Sequence, residues 1–199
     1  NEARERFFST ADYFNPIRFV CGSYPASTGI GMSGGSITLE CLAVSAGQNK
    51  LNLLPLENPE QTPAHQYSSE VLESGIDAQR KPPPLFTRGM AIDAQGMRTI
   101  FVSGTASIKN EVVVYENDVE KQTETTIDNV RLVLKQAGAS LRDVVWLRVY
   151  IKKDEDLPKV RQIVAQVFPG VPCIYLKADV CRPTWLVEIE AEAQVELPG

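Results

Sequence analysis

Near its end the chain sets small or branched apolar residues against carboxylates: Val187, Ile189, Ala191 and Ala193 share one parity, Leu186, Glu188 and Glu190 the other. Side chains alternate faces along a strand, so this segment has one face built for a core and one that carries acids. Glu188 is therefore aimed away from the main core. If that second face is also covered, the carboxylate loses its water and its pKa rises, which keeps a proton donor available near neutrality. If the face is wet, Glu188 and Glu190 are ordinary solvated acids.

The pattern upstream supplies the rest of a sheet. Phe86 to Ile92 and Thr99 to Ile108 flank the turn-rich Asp93-Ala94-Gln95-Gly96 and read as a β-hairpin. A helix follows, capped by Asn117 or Asp118, with Ile127, Val130, Leu134 and Ala137 at helical spacing and Gly138 as its stop. Val144 to Ile151 is rich in β-branched and aromatic residues and reads as a strand. A second helix begins near Asp156-Leu157-Pro158, carries Val160, Ile163, Val164 and Val167, and ends at Pro169-Gly170. Two further strands, about Cys173 to Val180 and Trp185 to Val195, meet at Arg182-Pro183-Thr184. The order β-β-α-β-α-β-β is that of an α+β fold whose helices cover one face of the sheet. Leu186, Phe101 or Tyr175 on the other face would then form an apolar patch that calls for a second domain or an oligomer.

Ahead of Phe86, Ile37 to Val44 reads as a strand after a glycine-rich turn, Gly29 to Gly35. That turn lacks the G-K-[ST] ending and leads into a strand, so it is no phosphate loop. Asn58 to Pro84 shows little periodicity and reads as a long loop packed over the neighbouring sheet, or a linker; a loop of that length is more often functional than idle.

Charge and composition narrow the chemistry. With 199 residues, 43% of them hydrophobic, the chain can bury the core of one large or two small domains. A net charge of −5 offers neither nucleic acid nor an anionic membrane the basic field it requires, so an anionic ligand must be met by a few local arginines. No apolar run reaches the ~18 residues of a membrane span and the charged start, Asn1 to Arg6, is no signal peptide, so a cytoplasmic protein is expected. Because the sequence opens on Asn1 rather than methionine, a processed, trimmed or incomplete start is expected. Cys21, Cys41, Cys173 and Cys181 have no C-x-x-C spacing and read as reduced thiols, with no metal site. His65, the single histidine, has no nucleophile motif beside it.

Several motifs carry a resemblance. Phe101-Val102-Ser103-Gly104, the helix from Gln122-Thr123 to Ala137-Gly138-Ala139, Val149-Tyr150-Ile151-Lys152 and Val187-Glu188-Ile189-Glu190-Ala191 are similar to the Rid family of imine/enamine deaminases, whose members assemble as trimers. A narrower resemblance, to the chorismatases, rests on Pro25 to Gly31, Glu57-Asn58-Pro59 with Gln61, Phe86-Thr87-Arg88, Val102 to Ile108 and Ala178-Asp179-Val180-Cys181-Arg182. Where deaminases carry an arginine for the substrate carboxylate on the strand before the final hairpin, this chain has Pro172-Cys173-Ile174-Tyr175 and no arginine, which disfavours deamination. The chorismatases are longer, with a whole Rid-like domain in front. The resemblance thus implies a partial N-terminal Rid-like domain and connecting loop over residues 1–84 and a Rid-like catalytic domain over 85–199.

By this resemblance the chain would release pyruvate from chorismate without a cofactor, with Glu188 as general acid. Arg161 matches a substrate-binding position, and Arg88 lies near where Rid enzymes place an active-site side chain. Tyr67 resembles a tyrosine that closes over the ligand. Arg148 interrupts an apolar strand and so must be paired or face a polar cleft. Cys181 resembles the residue of the branch that forms 3-hydroxybenzoate rather than the dihydroxycyclohexadiene acid. The expected partners are a small carboxylate substrate and further copies of the chain, a trimer being favoured, or else a missing N-terminal segment. The alternatives are a Rid-type deaminase and a non-catalytic module that binds small carboxylates.

Overall fold

The computed structural model describes residues 24–31, 39–44, 51–73 and 83–198. Its main sheet holds β1 (Asn52–Leu56), β2 (Gly89–Ala94), β3 (Met97–Ala106), β6 (Val144–Ile151), β7 (Cys173–Lys177) and β8 (Val187–Glu196). A small separate hairpin pairs β4 (Ile108–Lys109) with β5 (Val112–Val113). The helices are α1 (Ser69–Glu73), α2 (Val119–Gln136) and α3 (Leu157–Val167). The strand order is β1-β2-β3-β8-β6-β7, antiparallel throughout except for the parallel β6–β7 pair. That exception follows from α3, which returns the chain to the same end of the sheet as a crossover must.

Local chemistry fixes the elements. Gln95 and Gly96 both take positive φ, 52° and 78°, as a two-residue turn between right-twisted strands requires, and they close the β2–β3 hairpin. Asp118 caps α2 by accepting the Lys121 N–H at 3.0 Å, and Gly138, at φ 74°, stops it. Pro158 sits in the first turn of α3, where its missing N–H is no loss. The two long helices bury Ile127, Val130, Leu134, Val160 and Val164 against Ile100, Val102, Leu147, Val149 and Ile189 of the sheet. This is the expected α+β order, and its core lies between the helices and one sheet face.

Several expectations are corrected. Leu186 and Tyr175 belong to the helix-side core, not to the uncovered face. Leu186 precedes β8, where strict alternation has not begun, and Tyr175 stands in register with the core residue Val149. The opposite face carries Trp146, Arg148, Tyr150, Glu188 and Glu190, and at its β7 edge Ile174 and Leu176, both exposed. The last two strands do not form a hairpin: β7 ends at Lys177, β6 lies between β7 and β8, and residues 178–186 cross from one to the other. Residues 39–44 form no strand and are exposed, while Ile37 and Thr38 lie outside the described residues. Much of the expected N-terminal unit, with Cys21, lies there too. β1 falls before residue 84 yet pairs with β2 as an edge of the same sheet. Among the described residues, no helix is long and apolar enough to cross a membrane.

Ile189 is fully buried on a central strand. Ile189→Ala is expected to lower the unfolding free energy by about 2–5 kcal/mol in urea titration. A loss under about 1 kcal/mol would contradict its place in the core.

Candidate active site around Glu188

The site grows from an irregularity in β3. Between Val102 and Thr105 its register against β8 shifts, so Ser103 and Gly104 bulge out of the ladder. Ser103 Oγ donates to Thr87 O at 2.6 Å and accepts the Ser27 N–H at 3.0 Å, while the Gly104 N–H donates to Thr28 Oγ1 at 2.7 Å. The segment around Thr28 is thereby fastened over the bulge. A Cβ at Gly104 would lie 2.2 Å from Glu188 Oε1 and 2.4 Å from Thr28 Cγ2, so only glycine admits the carboxyl and its cover together.

Glu188 is 3% exposed, and its Oε2 is buried without a hydrogen-bond partner among the described residues. Burial, and after it the charge of Glu190, pushes its pKa up to about 8 against the opposing pull of Arg88. Of the two forms foreseen for this face, the structure has the covered one, and Glu188 holds its proton at neutral pH.

Two guanidinium groups meet at Tyr67, and the charge of one of them, Arg88, reaches Glu188. Arg88 is buried, donates from Nη2 to Tyr67 Oη at 2.5 Å and Thr62 O at 3.1 Å, and lies 5.3 Å over the Phe86 ring. Its Nε has no acceptor among the described residues. Burial also pushes up the Glu57 carboxyl, which accepts the Arg88 backbone N–H. Arg182 packs between Tyr67 and Trp185, 5.4 and 5.3 Å from their ring centres, and donates from Nη1 to Glu111 O at 2.8 Å. Burial, more than the neighbouring Arg88 charge, pulls its pKa down. Neither arginine forms an ion pair among the described residues.

The loop that carries Tyr67 is ordered over 58–73 and packed as expected; residues 74–82 lie outside the described set. Asn58 bonds Asn129, and Asn129 donates to Ala106 O and Ile108 O, tying loop, α2 and the end of β3 together.

Of the residues selected from sequence, Glu188, Arg88 and Tyr67 come together. Cys181 is exposed and donates its thiol to Gly29 O at 2.9 Å, one residue from Thr28. Arg148 shares the face of Glu188 but pairs with Glu190 at 3.0 Å and stacks 4.9 Å from the Trp146 ring centre. Tyr150 donates to the same Glu190 oxygen at 3.0 Å. Arg148 therefore acts on Glu188 only by compensating Glu190. Arg161 is not brought to the site. It is exposed on α3, near Cys173 and Tyr175, whose side chains face the helix layer, whereas Glu188 is on the other side of the sheet. Sequence reasoning passed over Arg182 and Trp185, although both lie in the motif-bearing segment before Glu188, and over Thr28, although it lies within the Pro25 to Gly31 motif. A depression lined by Asn52, Asp93, Gly96 and Leu197 lies at the far end of the β2–β3 hairpin and holds none of these groups.

Residues 88–195, running from the buried arginine through β8, match the family described as endoribonuclease L-PSP. The chain belongs to that family. It is 32% identical over 119 residues to a RutC family protein of Pyrococcus abyssi, covering 59% of this chain and 92% of that one. It is 35% identical over 190 residues to a 3-hydroxybenzoate synthase of Streptomyces hygroscopicus, covering 90% of this chain and 54% of the relative. The crystal structure of a chorismatase superposes with a TM-score of 0.67 at 28% identity, over 85% of this chain and 51% of the other. The chain thus spans about half the length of these two longer relatives.

The raised pKa of Glu188 has a consequence for stability. An unfolded chain releases this proton near the ordinary 4.5, the native chain near 8, so between these values the native state holds the extra proton. Stability from this group is full below the lower value and is lost as pH rises toward the upper one. The unfolding free energy of Glu188→Gln relative to the parent is expected to grow from pH 5 to pH 8 in urea titrations. A difference independent of pH would contradict the assignment.

Proposed function

We propose that the chain is a chorismatase-like enzyme that cleaves the enol ether of chorismate, releasing pyruvate with 3-hydroxybenzoate or the dihydroxycyclohexadiene carboxylate. The observation that carries this reading is Glu188, a carboxyl kept protonated by burial against the Gly104 bulge, with the charge of Arg88 acting on it and Arg182 against the same tyrosine as Arg88, neither guanidinium in an ion pair among the described residues. The likeness to a 3-hydroxybenzoate synthase and a chorismatase supports chorismate as the substrate.

Glu188 gives its proton to the terminal methylene carbon of the enol ether, and the double-bond electrons form the new C–H bond. The oxygen-stabilised cation that results is met by the carboxylate Glu188 has become. Water adds to the cationic carbon and gives a proton back to the Glu188 carboxylate, and collapse of the neutral hemiketal frees pyruvate and the dihydroxycyclohexadiene acid. Loss of the elements of water from the ring gives 3-hydroxybenzoate instead, so that route consumes no net water. Arg88 and Tyr67 hold substrate carboxylate with charge-assisted hydrogen bonds. Cys181, beside the Thr28–Gly29 cover, bears on the choice of product. The reaction as written calls on no cofactor or metal. A part for Arg161 requires another copy of the chain, and the uncovered face with Ile174 and Leu176 is where an oligomer would form.

With chorismate as substrate and pyruvate followed through a coupled dehydrogenase, Glu188→Gln is expected to lower the rate by about 10²–10⁴-fold. The parent rate should decline above about pH 8 as Glu188 ionises. Equal rates in the two proteins reject the mechanism. Ammonia released from an enamine, with no pyruvate from chorismate, favours a deaminase.

A further inference from the structure

Arg88 and Arg182 flank the same tyrosine yet differ in what else they touch. Ser103 donates its N–H to Arg88 O at 2.9 Å, which places Arg88 beside the bulge whose Gly104 touches Glu188. Arg182 lies further out, between Tyr67 and Trp185 and against the carbonyl of Glu111. That bond engages one of its five N–H donors. The Glu111 carboxylate is itself engaged by the Ser68 N–H at 2.8 Å. Trp185, 8% exposed, has its Nε1–H buried without an acceptor among the described residues. Cations and N–H groups withdrawn from water without a partner are costly, so a site that keeps them is built to receive an anion.

We infer that Arg182, with the indole N–H of Trp185, forms a second carboxylate subsite that takes the ring carboxylate of the substrate, while Arg88 takes the carboxylate of the enolpyruvyl side chain. The assignment rests on the chorismate reading above. It follows from where the proton must go. The methylene carbon that Glu188 protonates and the enolpyruvyl carboxylate hang on the same carbon, so the arginine next to the bulge is the one within reach of that carboxylate. The ring carboxylate lies on the far side of the ether oxygen and falls to the outer arginine. The two aromatic rings flank Arg182 and leave it partly buried, where a fork-shaped contact with a carboxylate is stronger than in open water. Arg182 is in this account a binding and orienting residue. Its alternative is purely structural, holding the β4–β5 turn through Glu111 O.

The two products separate the subsites, because 3-hydroxybenzoate keeps only the ring carboxylate and pyruvate only that of the side chain. In calorimetric titrations of the full chain, Arg182→Gln is expected to weaken 3-hydroxybenzoate about tenfold or more and leave pyruvate unchanged, and Arg88→Gln to do the reverse. Arg182→Lys, which keeps the charge and loses the fork, should show the same split at smaller size and serves if the glutamine variant does not fold. Equal weakening of both ligands by the Arg182 variants, no weakening by them, or no binding of 3-hydroxybenzoate to the parent overturns the subsite. Failure of the chorismate reading registers separately: the ligand split would persist while chorismate yields no pyruvate.

Discussion

One contact organises the chain: the carboxyl of Glu188 pressed against a backbone position that has no side chain. Gly104 leaves room for that carboxyl and for Thr28 together, and a single methyl group there would collide with both. Withdrawn from water, Glu188 finds its neutral form favoured, and the neighbouring Glu190 adds repulsion in the same sense. Arg88 pulls the other way without prevailing. Its charge is shared with Tyr67 and Thr62, so it remains available to an anion instead of being neutralised by the acid it adjoins.

The fold produces this contact through an asymmetry between its two faces. Helices α2 and α3 cover one face with aliphatic side chains, and β8 carries its acids on the other. At the Glu188 end, that second face is roofed by irregular chain: the Thr28 segment on the bulge and the Asn58–Tyr67 loop anchored to α2 through Asn129. Toward β6 and β7 the roof thins, and there Arg148, Tyr150 and Glu190 satisfy one another in a half-buried polar network. Burial deep enough to shift an acid and exposure enough to admit a ligand thus occur along the same strand.

Much of this was legible because alternation and punctuation are local signals. The Gln95-Gly96 turn, the Asp118 cap, the Gly138 stop and the parity of Val187 and Ile189 all depend on residues close in sequence. What escaped depends on distant chain. Leu186 was assigned to the wrong face because parity holds only inside a strand, and β7 and β8 read as neighbours because periodicity carries no information on strand order. Arg161 looked suitable beside an apolar stripe, yet a helix packed beneath the sheet points its edge away from acids above it. Arg182 and Trp185 gave no periodic signal; their significance appears only once Tyr67, more than a hundred residues earlier, is laid between two guanidinium groups.

The protonation of Glu188 is directly observable. With glutamate labelled at the carboxyl carbon, the resonance that disappears in Glu188→Gln can be followed by ¹³C NMR as pH is raised. A buried, protonated Glu188 gives a midpoint near 8. A midpoint near the ordinary 4.5 would mean the carboxyl is ionised at neutral pH, and the proton donor on which the mechanism rests would not exist.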